Sequence, residues 1–253
     1  MLRWLILPLL LLPTLSLAEE VVLGLSSDEV SITTRFDGDE ILIFGAVKRD
    51  TPIPDGPPLQ VVIAVAGPSE PVTVRRKARR FGIWVNTDTV EVDRAPSYYT
   101  VATSAPLEEV LSSTEDLRHK ITIDRAIRSV GAPQDIQDAE TFTEALIRVR
   151  EAQQLYQHLE GAVAVDQQTL FRTEIDLPAN LTEGAYATRI FLTRGGEVVS
   201  STETAIDVRK VGLERWLYSL SRRQPLIYGL MSLAIAIVAG WGASAAFRLL
   251  RER

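Results

Sequence analysis

Residues 225–247, PLIYGLMSLAIAIVAGWGASAAF, run for 23 positions without a charged side chain. Nothing else in the chain constrains its fold as strongly. About 20 apolar residues in a helix match the ~30 Å of bilayer hydrocarbon, so the run reads as a transmembrane helix with some tilt. Arg248, Arg251 and Arg253 follow it directly, while Trp216, Tyr218 and Tyr228 lie near its other end, where amphipathic rings favour the headgroup level. Inside the run, Ala236 with Gly240 and Gly240 with Ser244 are small residues four apart, a spacing that lets helix backbones approach closely. Ala236, Gly240 and Ser244 are therefore a candidate helix association face. The run holds no charged group for a proton or ion path.

The opening MLRWLILPLLLLPTLSLAEE pairs one cation, Arg3, with an apolar core from Leu5 to Leu17 and small residues at Ser16 and Ala18. That core is too short to span, and the segment 1–18 reads as a secretory signal peptide cleaved after Ala18. An export signal at one end and a basic tail at the other set one orientation: main domain outside the cytoplasm, residues 248–253 inside.

Between these ends the chemistry is narrowed by what is missing. The chain of 253 residues has a net charge of −6, which argues against a nucleic-acid binder, since phosphates demand a basic surface. There is no cysteine, hence no disulfide, thiolate nucleophile or sulfur ligand. No HExxH, P-loop, GxGxxG or nucleophile-elbow pattern occurs, so no cofactor is expected. The two histidines, His119 and His158, sit far apart in charged text read as helical, and Ser97 has no base nearby in sequence. Asn180 in NLT reads as a turn after Pro178.

Residues 19–104 read as a β-sandwich-like domain, with short Val-, Ile- and Thr-rich runs separated by turn clusters at Asp37–Asp39, Asp55–Pro58 and Gly67–Pro71. At period two, Phe81, Ile83 and Val85, and likewise Tyr99, Val101 and Thr103, point to one buried face each; Trp84 and Tyr98 have the opposite parity. Residues 105–168 read as a helical insert. Pro106 sits in a first turn, and the segment 141–161 has Phe142, Leu146, Val149, Tyr156 and Leu159 near helical spacing, with Thr141 and Glu144 as a capping box and Gly161 as the stop. Residues 169–212 read as a C-terminal β region. Phe171, Thr173, Ile175 and Leu177 alternate with polar neighbours, and Gly195–Gly196 marks a hairpin. LTEGAY resembles an immunoglobulin-like corner in which Tyr186 bonds back to the turn it follows. Residues 213–224 read as a short interfacial helix leading into the span. The whole is α+β: an immunoglobulin-like sandwich, a helical insert, a β region and one transmembrane helix.

The phrases IFGAVKRD, FGIWVN, PSYYTVATS and TEIDLPANLTEGAYATRIFLTRGGEVV resemble a family of alphaproteobacterial putative transmembrane proteins over nearly the whole mature chain. The resemblance implies a Gram-negative inner-membrane protein with a periplasmic domain and a C-terminal anchor, and partnership with an inner-membrane transporter. It implies no catalytic residues.

One feature stands out from the acidic background. In VRRKARRFG, Arg75, Arg76, Lys77, Arg79 and Arg80 place five cations in six positions. This is a candidate contact for anionic lipid, an anionic ligand or an acidic partner, or else a strand edge charged against edge pairing. The expected role is a membrane-anchored periplasmic binding or accessory protein, partner of a transporter, of an envelope assembly or of its own copies. The rival is a periplasmic enzyme acting on envelope glycan or lipid, which needs Glu115, Asp116 and Asp124 to meet in a cleft.

Overall fold

A computed structural model of the protein describes residues 20–25, 29–32, 39–49, 52–54, 56–129, 136, 138–210 and 213–251. The signal-peptide reading of residues 1–18 and the turn at Asp37–Gly38 lie outside the described residues. Three strands open the chain, β1 (Glu20–Leu25), β2 (Glu29–Ile32) and β3 (Asp39–Lys48), followed by β4 (Leu59–Ala66), β5 (Ser69–Arg80), β6 (Ile83–Pro96) and β7 (Tyr99–Thr103). The helices α1 (Leu107–Val110), α2 (Ser113–His119), α3 (Ile123–Ala126) and α4 (Ala139–Ala152) come next. Strands return as β8 (Tyr156–Leu159), β9 (Ala164–Asp166), β10 (Leu170–Leu177), β11 (Gly184–Arg194) and β12 (Glu197–Lys210), and the helices α5 (Leu213–Arg223) and α6 (Pro225–Arg251) close the chain.

These strands build two open, sandwich-like sheets and one separate ribbon. The first sheet has the order β1-β3-β10-β9, the second β2-β12-β11-β4-β7-β8, and the ribbon is β5-β6. The strands after residue 169 share both sheets with those before residue 104. Ile43 lies opposite Thr173 and Ile63 opposite Ile190, so one core joins the two β regions. β10 alternates as its sequence reads, with Phe171, Thr173, Ile175 and Leu177 buried and the residues between them exposed. β7 is buried at every position, because it sits inside the second sheet with α3 against it. Strict alternation fails where both faces are covered.

Gly195 and Gly196 have φ of +56° and +82° and turn β11 into β12, as their spacing predicts. The Tyr186 hydroxyl donates to the Thr182 carbonyl at 2.8 Å, the back-bond read from LTEGAY.

The helical segment differs from the reading at both ends. Asp138, not Thr141, is the N-cap of α4, which ends at Ala152 rather than running to Gly161. Gln154 takes φ +59°, and residues 156–159 become β8, parallel to β7, with Tyr156 buried and its hydroxyl on the Pro96 carbonyl at 2.7 Å. Edge pairing on the second sheet outweighs helical spacing here. His158 therefore lies on a strand.

β12 ends at Lys210, and α5 begins at Leu213. α5 runs almost without a break into α6: the Gln224 amide bonds to the Leu220 carbonyl, and the Tyr228 amide to Gln224. Pro225, lacking an N–H, occupies the first turn, where none is needed. α6 has 27 residues, about 40 Å at the usual helical rise. Its stretch Pro225–Ser244 is long and apolar enough to cross a bilayer, and none of it is buried against the rest of the protein.

Candidate functional site

The ribbon begins as a continuation of the second sheet. Ala66 pairs with Tyr99, the Gly67 amide donates to the Tyr98 carbonyl, the Ser97 amide donates to the Pro68 carbonyl, and Ser69 pairs with Pro96 in the same register. The Gly67–Pro71 cluster, read as a turn between strands, is thus the root of a longer ribbon. Pro71 is tolerated because it sits at a register shift between Glu70 and Val72, where its missing amide breaks no ladder bond. Ser97 belongs to this root: it is buried, and its carbonyl accepts from Arg150.

Twelve residues of β5 reach about 40 Å at the rise of an extended strand, whereas α4, with 14, covers about 21 Å. α4 can therefore brace only part of the ribbon. The brace is Arg76. Its guanidinium donates to Asp138 Oδ2 at 2.5 Å and to Thr141 Oγ1 at 3.0 Å, and lies 4.5 Å from the Phe142 ring centre, with Asp88 opposite on β6. That hydrogen bond holds the Asp138 carboxyl below the usual carboxylate range.

Beyond the brace the ribbon carries no carboxylate between Lys77 and Thr87. Cross-strand pairs share a face, so Arg79 accompanies Trp84, and Arg80 accompanies Ile83. Among the described residues the side chains of Arg75, Lys77 and Arg80 make no hydrogen bond or ion pair, and Arg79 Nε reaches only the Gly82 carbonyl at 3.4 Å. The turn is Phe81–Gly82, with φ of +50° and +87°. Phe81 is fully exposed at 106%, Ile83 is 64% exposed and Trp84 68%. The period-two reading that placed Phe81 and Ile83 in a core is corrected: a two-stranded ribbon outside the sandwich has no core to offer them. An aromatic residue in the left-handed region costs roughly 1 kcal/mol relative to glycine. The sequence signal was Phe-Gly flanked by cations, a turn signature inside what reads as a strand.

The five cations of the sequence thus divide. Arg76 is part of the fold and Arg75 lies on the root side of it, opposite Thr89; Lys77, Arg79 and Arg80 surround an apolar tip.

The carboxylates of the enzyme reading are occupied otherwise. Glu115 is buried, bonded to Arg118 and 3.4 Å from His119 Nε2. Asp116 accepts from the amides of Ile121 and Thr122 and from the Thr122 hydroxyl, which fixes the turn between α2 and α3. Asp124 is exposed in a cleft of about 640 Å³ that Arg94, Arg125, Arg128 and Arg189 also line. The guanidinium of Arg189 donates to the His119 and Lys120 carbonyls and to the Tyr99 hydroxyl, tying the end of α2 to the sheet. Among the described residues no group of three or more His, Cys, Asp or Glu is placed to hold a metal ion. In the span, Ala236, Gly240 and Ser244 are all exposed.

A family model described as a putative transmembrane protein, Alph_Pro_TM, matches residues 20–249. No curated protein matches the chain.

Proposed function

From the premise that this chain belongs to the Alph_Pro_TM family of transmembrane proteins, we propose that it is a membrane-anchored periplasmic module that binds or assists a partner. The partner is an inner-membrane transporter, an envelope assembly or a second copy of the chain. One observation carries this reading: residues 211–212 alone separate β12 from α5, and Gln224 alone separates α5 from α6. So short a tether holds the sandwich close to the bilayer and suits work on something in or near that membrane.

The enzyme reading is the weaker of the two. Glu115 is used by Arg118 and His119, and Asp116 by the α2–α3 turn, so neither is free to act as acid or base. The anchored reading gains from the basic residues that follow the apolar stretch, Arg248, Arg251 and Arg253, and from the leader-like first residues, which agree on orientation. A reporter active only in the periplasm should therefore work when fused after Gly212, and one active only in the cytoplasm after Arg253. Swapped activities would refute the orientation.

A further inference from the structure

We propose that the tip of the β5–β6 ribbon is a second membrane contact. Lys77, Arg79 and Arg80 meet anionic lipid headgroups, while Phe81, Ile83 and Trp84 enter the interfacial layer of the same bilayer that α6 crosses. The proposal deepens the anchored-module reading and rests on it.

Four observations converge. First, Phe81 is unfavourable twice over within the chain, in its backbone conformation (φ +50°) and in its full exposure. A Cβ added at Gly82 would find no atom within 4 Å, so the turn stands in open space. Neither cost is offset by anything the fold provides. Second, the side-chain types are those of an interface: a tryptophan and a phenylalanine, whose rings settle at the headgroup level, with arginines beside them.

Third, the charge is matched to a lipid surface. The cations form a carboxylate-free cluster on a chain of net charge −6, and Arg76, the one cation of the run that is paired, is used up by the brace. Fourth, the strand register places the ribbon on the right end of the sandwich. Ala66 pairs with both Tyr99 and Ala187, and Gly184 pairs with Val208. The end of β4, where the ribbon starts, is therefore the same end of the sheet as the end of β12, from which the chain leaves for α5 and α6. α5 itself closes with Arg222 and Arg223 just before the span.

The chain has no cysteine, so one introduced thiol can be labelled alone. The full chain carrying Ile83→Cys, modified with an environment-sensitive nitrobenzoxadiazole, is placed in nanodiscs of phosphatidylglycerol or of phosphatidylcholine, with nitroxide-bearing lipid as quencher. In the anionic discs the label should shift to the blue and be quenched by the lipid nitroxide, whereas a label at Thr89→Cys, midway along the ribbon, should stay wet. Arg79→Gln and Arg80→Gln should each lower the immersed-to-free ratio roughly fivefold, the effect of one cation near an anionic surface. Phe81→Gly should also lower it while leaving the fold intact, because glycine suits the turn better.

A label at 83 that stays open to an aqueous quencher in anionic discs overturns the proposal. So does one protected in native membranes but not in lipid discs, which would make the cover a protein. Alkaline carbonate extraction of the same preparation separates the two readings: a chain stripped from the membrane refutes the anchor, whereas a retained chain with a wet tip refutes only the second contact.

Discussion

Removing the Arg76 guanidinium should unclamp α4 from the ribbon. With Arg76→Gln, amide exchange over Val72–Val92 should accelerate in the full chain in detergent and stability fall by about 1 kcal/mol, the scale of an exposed ion pair with added contacts; Arg75→Gln should change neither. Because Arg76 holds the Asp138 carboxyl below its ordinary range, the clamp is complete above that range and is lost as pH falls through the lower folded-state value. Four of the six tyrosines give a test at the other end of the scale. Burial pushes the Tyr156 and Tyr186 hydroxyls up to about 12 and raises Tyr98 and Tyr99 as well. The folded state thus favours the neutral phenol. Its stability is full below the ordinary tyrosine value of about 10 and is lost as pH rises through the folded values. Absorbance at 295 nm should show these four ionising late, together with loss of near-ultraviolet dichroism; ionisation near pH 10 with the fold intact would contradict the burial. In the sequence, Arg76 looks like its neighbours, since only the arrival of Asp138 and Phe142 from a distant helix singles it out.

The passage from α4 to β8 turns on one backbone angle. Gln154 sits at φ +59°, where glycine is at ease and a β-branched side chain is not. Gln154→Gly should hold or raise the melting temperature, and Gln154→Val should lower stability by about 1–2 kcal/mol; equal melting of the two variants would show that the angle does not matter. This element was misread from the sequence because Tyr156 and Leu159 continue the helical spacing of Leu146 and Val149, and local pattern cannot register a free edge on β7. β10 was legible for the opposite reason: a strand with one wet face writes its orientation into alternate residues. The β5–β6 ribbon carries strand text too, yet alternation says only that two faces differ, not that a core waits behind one of them. Its role is visible only once Phe81 is found in open space.

At the scale of the whole molecule, α6 is a helix with no partner of its own among the described residues: Pro225–Ser244 is unburied throughout. If the small-residue face is where another helix packs, Gly240→Leu should leave insertion and abundance unchanged while lowering self-association or partner recovery in a membrane association assay, because packing rather than hydrophobicity drives helix pairing in lipid. Wild-type association in that variant would reduce α6 to a tether. The span was plain in the sequence, since hydrocarbon thickness fixes its length; the union of the two β regions was not, because pairing between distant strands leaves no local mark. That union has a consequence for how the protein is made. Ile43 waits for Thr173, Ile63 for Ile190, and Gly184 for Val208, so the first sheet cannot close until synthesis has passed Leu177 and the second until it has passed Lys210. The anchor begins fifteen positions later, at Pro225. The early strands keep unpaired edges until those partners are made, and such edges are where an incomplete chain aggregates. Truncating it just short of β12 would yield aggregate, whereas truncating it just past β12 would spare the sandwich.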